Sequence, residues 1–114
     1  MNISKELLSE VLNVNVQTEI HEYDWCSDNT LIYWEFDDYH NDYKNINIYE
    51  LAHKCKEWAF KNGYWLSVRL YEPNGFNIVV FSHIHSQLQK DLKEINDKTE
   101  PNAIIKACQM ILDK

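Results

Sequence analysis

The sequence has almost none of the residues that build flexible or phosphate-gripping loops: two glycines and two prolines in 114 residues. Two glycines cannot form a phosphate-cradling loop or a dinucleotide fingerprint. So few breakers also exclude a low-complexity or disordered chain. There are three cysteines, Cys26, Cys55 and Cys108, with no Cys-x-x-Cys pair. An odd count without that spacing argues against a disulfide framework and a structural zinc site. No apolar run reaches the length of a membrane span, and Met1–Glu6 lacks the basic-then-apolar pattern of a secretory signal. No nucleophile elbow is present. The expectation is one soluble, reducing-compartment, cytoplasmic domain over residues 1–114.

What is abundant is aromatic side chain and negative charge. Four Trp, seven Tyr and four Phe accompany a net charge of −7. That charge is gathered in one stretch. Residues 19–50 hold nine acids (Glu19, Glu22, Asp24, Asp28, Glu35, Asp37, Asp38, Asp42 and Glu50) against one base, Lys44. The remainder holds nine acids and ten bases. Such a stretch repels nucleic-acid backbones and anionic membranes and attracts a basic partner or a divalent cation. It also carries eight of the fifteen aromatics, including Tyr33, Trp34, Tyr39, Tyr43 and Tyr49. Those on the 31–36 strand are expected to supply core, whereas Tyr39 and Tyr43 flank loop acids and are expected to face water.

Periodicity gives the elements. Ser4 can cap a helix over Lys5–Leu12 with an apolar stripe of Leu7, Leu8, Val11 and Leu12. Val14, Val16, Thr18 and Ile20 alternate with polar residues and predict a half-buried strand. After turn residues 26–30, Leu31–Phe36 predicts a second strand hairpinned to the first, and Asp37–Asn45 a polar loop. Asn47 and Glu50 form an Asn-x-x-Glu capping box with Ile46 and Leu51 as its staple. The helix that follows carries Ile48, Leu51, Ala52, Cys55, Trp58 and Ala59 on one face and stops at Gly63. Tyr64–Tyr71 and Phe76–Ser82 read as strands around a Pro73-Asn74-Gly75 turn. Both are apolar on both faces, which calls for cover on both sides. Residues 83–98 fit either a weak helix or an irregular edge. From Thr99 or Glu100 a capped helix runs to the C-terminus, with Pro101 in its first turn.

The fold class predicted is α+β: a small antiparallel four-stranded sheet with helices on both faces, in the order α-β-β-α-β-β-α. The closing element, Pro101-Asn102-Ala103-Ile104-Ile105-Lys106-Ala107-Cys108, resembles the last helix of small phage and prophage proteins of the "ABA sandwich" type. The order helix, strand, Pro73-Asn74-Gly75 turn, strand agrees with that group. The resemblance spans roughly residues 46–112. It implies an accessory protein of a phage or integrated element, with no implied activity and no functional residue to carry over.

Three functional readings remain. Asp37, Asp38, Tyr39, Asp42 and Tyr43 are the candidate interaction residues of a non-catalytic module for a basic protein, and nucleic-acid mimicry is its sharper variant. The plain alternative for these acids is a solvated loop. The second reading is a metal-dependent enzyme or metal-binding protein using His83, His85 and an acid, yet two histidines without a fixed third ligand rarely make a site, so no metal and no cofactor is assigned. The third reading is a structural, self-associating protein, with the oligomeric state open. Cys55 and Cys108 fall on apolar helix faces and are expected in the core.

Overall fold

The helix caps fix the three helices. In α1 (Lys5–Leu12) the Ser4 side chain accepts from the Leu7 N–H at 3.1 Å. In α2 (Ile48–Lys61) Asn47 accepts from the Tyr49 N–H at 2.8 Å. In α3 (Glu100–Leu112) Thr99 caps and Pro101 sits in the first turn. Each cap satisfies one of the donors a helix start leaves orphaned. The computed structural model describes residues 3–20, 29–36, 41–71, 75–84 and 93–113. The strands are β1 (Thr30–Phe36), β2 (Asn41–Asn47), β3 (Tyr64–Tyr71), β4 (Phe76–His83) and β5 (Lys93–Asp97).

The single four-stranded sheet is replaced by two antiparallel sheets, β1-β2 and β3-β4-β5. Three local differences produce this. Residues 14–20 form no regular strand. Ile20 exchanges two 2.8 Å backbone hydrogen bonds with Ile3, Val16 bridges Glu35, and the Val16 N–H donates to the Ser9 hydroxyl at 3.1 Å. Pairing divided among separate partners cannot make one ladder, although Val16 and Ile20 are buried as their alternation requires. The partner of β1 is therefore β2, which occupies the second half of the expected polar loop. Finally, β5 emerges from the ambiguous 83–98 stretch.

The core lies between helices and sheet. Val79 and Phe81 of β4 are fully buried, and Leu66 and Val68 of β3 and Ile95 of β5 pack against the same cluster. Above them lie Leu51, Ala52, Cys55, Trp58 and Ala59 of α2 and Ala103, Ile104, Ala107, Cys108 and Ile111 of α3. Leu7 and Leu8 of α1 close the cluster, and the Trp58 indole N–H donates to Glu10 at 3.5 Å. Small residues at the α2–α3 crossing allow close approach, so that the Cys108 thiol donates to the Cys55 carbonyl at 3.4 Å.

Among the described residues helical cover is one-sided, whereas helices on both faces were expected. The molecule measures 48 × 32 × 17 Å. Layers stack about 10 Å apart, so this thickness holds one helical layer on one sheet. The second face carries Trp65, Ser67 and Arg69 of β3, Ile78, Val80 and the buried Ser82 of β4, and Glu94 and Asn96 of β5, by alternation from the buried set. No helix among the described residues packs on it.

Candidate interaction surface

The described part of the acidic stretch is mainly the β1–β2 hairpin. Its register pairs Leu31 with Ile46, Tyr33 with Lys44, Trp34 with Tyr43 and Glu35 with Asp42. Leu31 and Ile46 are buried and pin one end of the hairpin to the core. At the same end the Ile48 N–H donates to the Asn29 carbonyl at 2.8 Å, and Asn29 takes the left-handed conformation with φ 66°. Asn tolerates that conformation better than other side-chain-bearing residues do. At the far end the only described backbone tie is Gln17 N–H to Trp34 carbonyl at 3.1 Å, beside the Val16–Glu35 bridge.

The aromatics divide differently from expectation. Tyr33 packs against the core, but its neighbour Trp34 is 44% exposed, and Tyr49 at the start of α2 is 59% exposed. The 31–36 strand therefore shows one large ring to solvent instead of burying both. Neither ring was singled out from sequence as an interaction residue. The usable signal was alternation, which sends Trp34 to the face opposite Leu31 and Tyr33.

The local field is negative. The Tyr33 phenol has its pKa raised by burial first, then by the charges of Glu35 and Glu50. Carboxylates from β1 and α2, distant in sequence, thus act on one point. Glu19 and Glu50 are exposed, and Lys44 is the stretch's one cation.

Of the residues singled out from sequence, Asp37, Asp38, Tyr39 and His85 lie outside the described residues, as does Cys26. Asp42 and Tyr43 lie on the β2 backbone, not in a loop. His83 has a packing role. Its ring meets Tyr64 edge to face with centroids 5.2 Å apart. A Cβ on Gly63 would stand 3.0 Å from its Nε2. Among the described residues no group of three or more His, Cys, Asp or Glu converges as a metal site. The Cys55 thiol has its pKa pushed far up by the adjacent Cys108 thiol and by burial, the reverse of a nucleophile's environment.

Among the described residues an open groove of about 800 Å³ lies between α1, residues 13–17 and the end of α3. Ser4, Glu6, Glu10, Asn15, Gln109 and Asp113 are among its lining residues. Its polar lining differs from the mostly apolar walls that enclose small ligands. No family model, no curated protein and no solved structure matches this chain.

Proposed function

We propose that this chain is a non-catalytic binding module that engages a basic protein surface through its acidic β1–β2 hairpin and the adjoining start of α2. The observation that carries this reading is the coincidence of charge and shape. Nine acids and one base fall in residues 19–50; of these, Glu35, Asp42 and Lys44 lie on the separate two-stranded sheet that presents Trp34, and Glu50 stands beside the exposed Tyr49 at the start of α2. Exposed aromatic rings supply contact area at low entropic cost, and the acids select partner and on-rate. A role as a phage- or prophage-type accessory protein, suggested by the resemblance over residues 46–112, belongs to the same proposal.

The test is binding to a lysine- and arginine-rich peptide, measured at two salt concentrations. Replacing Glu35, Asp42 and Glu50 with Gln, Asn and Gln removes three charges. At about 0.5 kcal/mol per exposed pair, affinity should fall roughly tenfold. Trp34→Ala should weaken binding further. A control triple, Glu6→Gln with Glu57→Gln and Asp113→Asn, removes exposed acids elsewhere and should leave affinity within about twofold. Equal losses in both triples would reduce the effect to bulk charge and end the proposal.

A further inference from the structure

We propose that the open face of β3-β4-β5 binds a second copy of this chain, sheet on sheet, in a weak symmetric dimer. The face is apolar at Ile78 and Val80 of its central strand, which ends there in the buried Ser82, and its margins are charged. Ile78 and Val80 of the central strand are half-buried, and Trp65 on β3 is 39% exposed. Arg69 stands on β3, one margin, and Glu94 on β5, the other; both are exposed. Ten of the eleven cationic residues in the chain are Lys, so Arg69 is its only arginine. Trp and Arg are the residues that dominate buried protein–protein contacts, whereas Lys is depleted there.

Symmetry supplies the occupant. A two-fold axis between two such faces, parallel to the strands, sets β4 over β4 and crosses β3 of one copy onto β5 of the other. Within each copy, Arg69 pairs with Ile78 and Ile78 with Asn96, while Val80 pairs with Glu94. Arg69 therefore falls over the Glu94–Asn96 stretch of the second copy, and the operator repeats that contact at the opposite margin. Two ion pairs then flank an apolar seam of Ile78 and Val80. Aligned sheet packing of this kind is the ordinary way to bury two inner faces. The face is thus complementary to itself and needs no partner of different chemistry.

Its size sets the strength. Three strands about 4.8 Å apart, rising about 3.3 Å per residue, give a flat footprint of roughly 300–400 Å² per copy. That falls short of the ~800 Å² per partner of a standard stable interface, so association is concentration-dependent.

Sedimentation equilibrium from about 10 to 500 µM reads the dimer directly, as micromolar-to-millimolar dissociation constants demand. Wild type should shift from monomer toward dimer across this range. Val80→Lys, which sets two ammonium groups against each other across the seam, should raise the dissociation constant at least tenfold. Arg69→Glu and Glu94→Arg should each raise it several-fold, and the double swap Arg69→Glu with Glu94→Arg should return it to near wild type. Both charged side chains are exposed, so the swaps leave folding intact, checked by circular dichroism. A wild type that stays monomeric throughout would overturn the proposal. So would a dimer indifferent to Val80→Lys, which would place association elsewhere, such as the β3 edge. A double swap that fails to restore association would also overturn it.

Discussion

Gly63 is the position where a single methyl group should be most informative. It follows α2 with φ +87°, a conformation that side chains rarely adopt. Its N–H donates to the Phe60 carbonyl at 3.0 Å, and its carbonyl accepts from the Ile84 N–H at 2.6 Å. It therefore joins the helix end to the end of β4. Gly63→Ala carries two separable costs. Holding alanine at positive φ costs about 1 kcal/mol. The new Cβ would also stand 3.0 Å from His83 Nε2, so the imidazole must move away from Tyr64. Rotating or displacing that ring costs about 0.5–1.5 kcal/mol. The expected total is about 1.5–2.5 kcal/mol, read as a lowered urea midpoint with unchanged slope, the sign of lost stability in an unaltered transition. In a His83→Ala background the clash is absent, and Gly63→Ala should cost only the backbone share. The cycle should therefore show coupling of about 0.5–1.5 kcal/mol. A fully additive double mutant, or a Gly63→Ala cost under about 0.3 kcal/mol, would refute the placement of His83 over this turn.

Two further outcomes follow from buried and paired groups. Asp97 holds Lys106 of α3 in an ion pair and accepts from the Thr99 N–H at 3.2 Å. Burial alone would raise its pKa, but these partners outweigh it and the carboxyl lies below its usual value. A depressed carboxylate pKa stabilises the fold above the unfolded value, about 3.9, and the gain is lost as pH falls through the folded value. Asp97→Asn should cost about 0.5–1 kcal/mol at neutral pH, with the two urea midpoints converging in strong acid. Equal midpoints at neutral pH would refute this. In a Cys26→Ser background, Cys55 and Cys108 are fully buried thiols and should react with Ellman's reagent only as fast as the chain unfolds. Rapid labelling of the native protein would show that the α2–α3 crossing is open.

The helices were legible because their signals are local. Ser4, Asn47 and Thr99 act on N–H groups two or three residues away, and the apolar stripes need no knowledge of the partner. β1, β3 and β4 were legible for a similar reason, since Leu31–Phe36, Tyr64–Tyr71 and Phe76–Ser82 are rich in aromatic and β-branched residues. β2 and β5 were not. Asn41-Asp42-Tyr43-Lys44-Asn45 and Lys93-Glu94-Ile95-Asn96-Asp97 consist mostly of residues depleted in strands. Each lies at the margin of its sheet, where pairing with one neighbour suffices. Residues 14–20 show the converse. Their alternation correctly placed Val16 and Ile20 inside, but alternation reports burial on one face and cannot report whether one partner strand is present.

The one-sided cover of β3-β4-β5 was beyond reach for a related reason. Trp65, Ile78 and Val80 gave a second apolar face, and a helix was the natural thing to lay on it. The chain has only three helices among its described residues, and α2 and α3 bury small residues against one another as well as against the sheet. Both then settle on the Val79–Phe81 side, while α1 packs on them and not on the strands. Among the described residues there is no fourth helix to lay on the other side. The consequence is a division of labour between surfaces. Glu35 and Trp34 lie on a sheet that shares no ladder with β3-β4-β5, and Glu50 is exposed at the start of α2, so substitutions at Glu35 and Glu50 should not alter self-association, nor Arg69→Glu the binding of a basic peptide. If either substitution moved both readouts, the two sheets would have to act as one surface, and the separation of their ladders would lose its functional meaning.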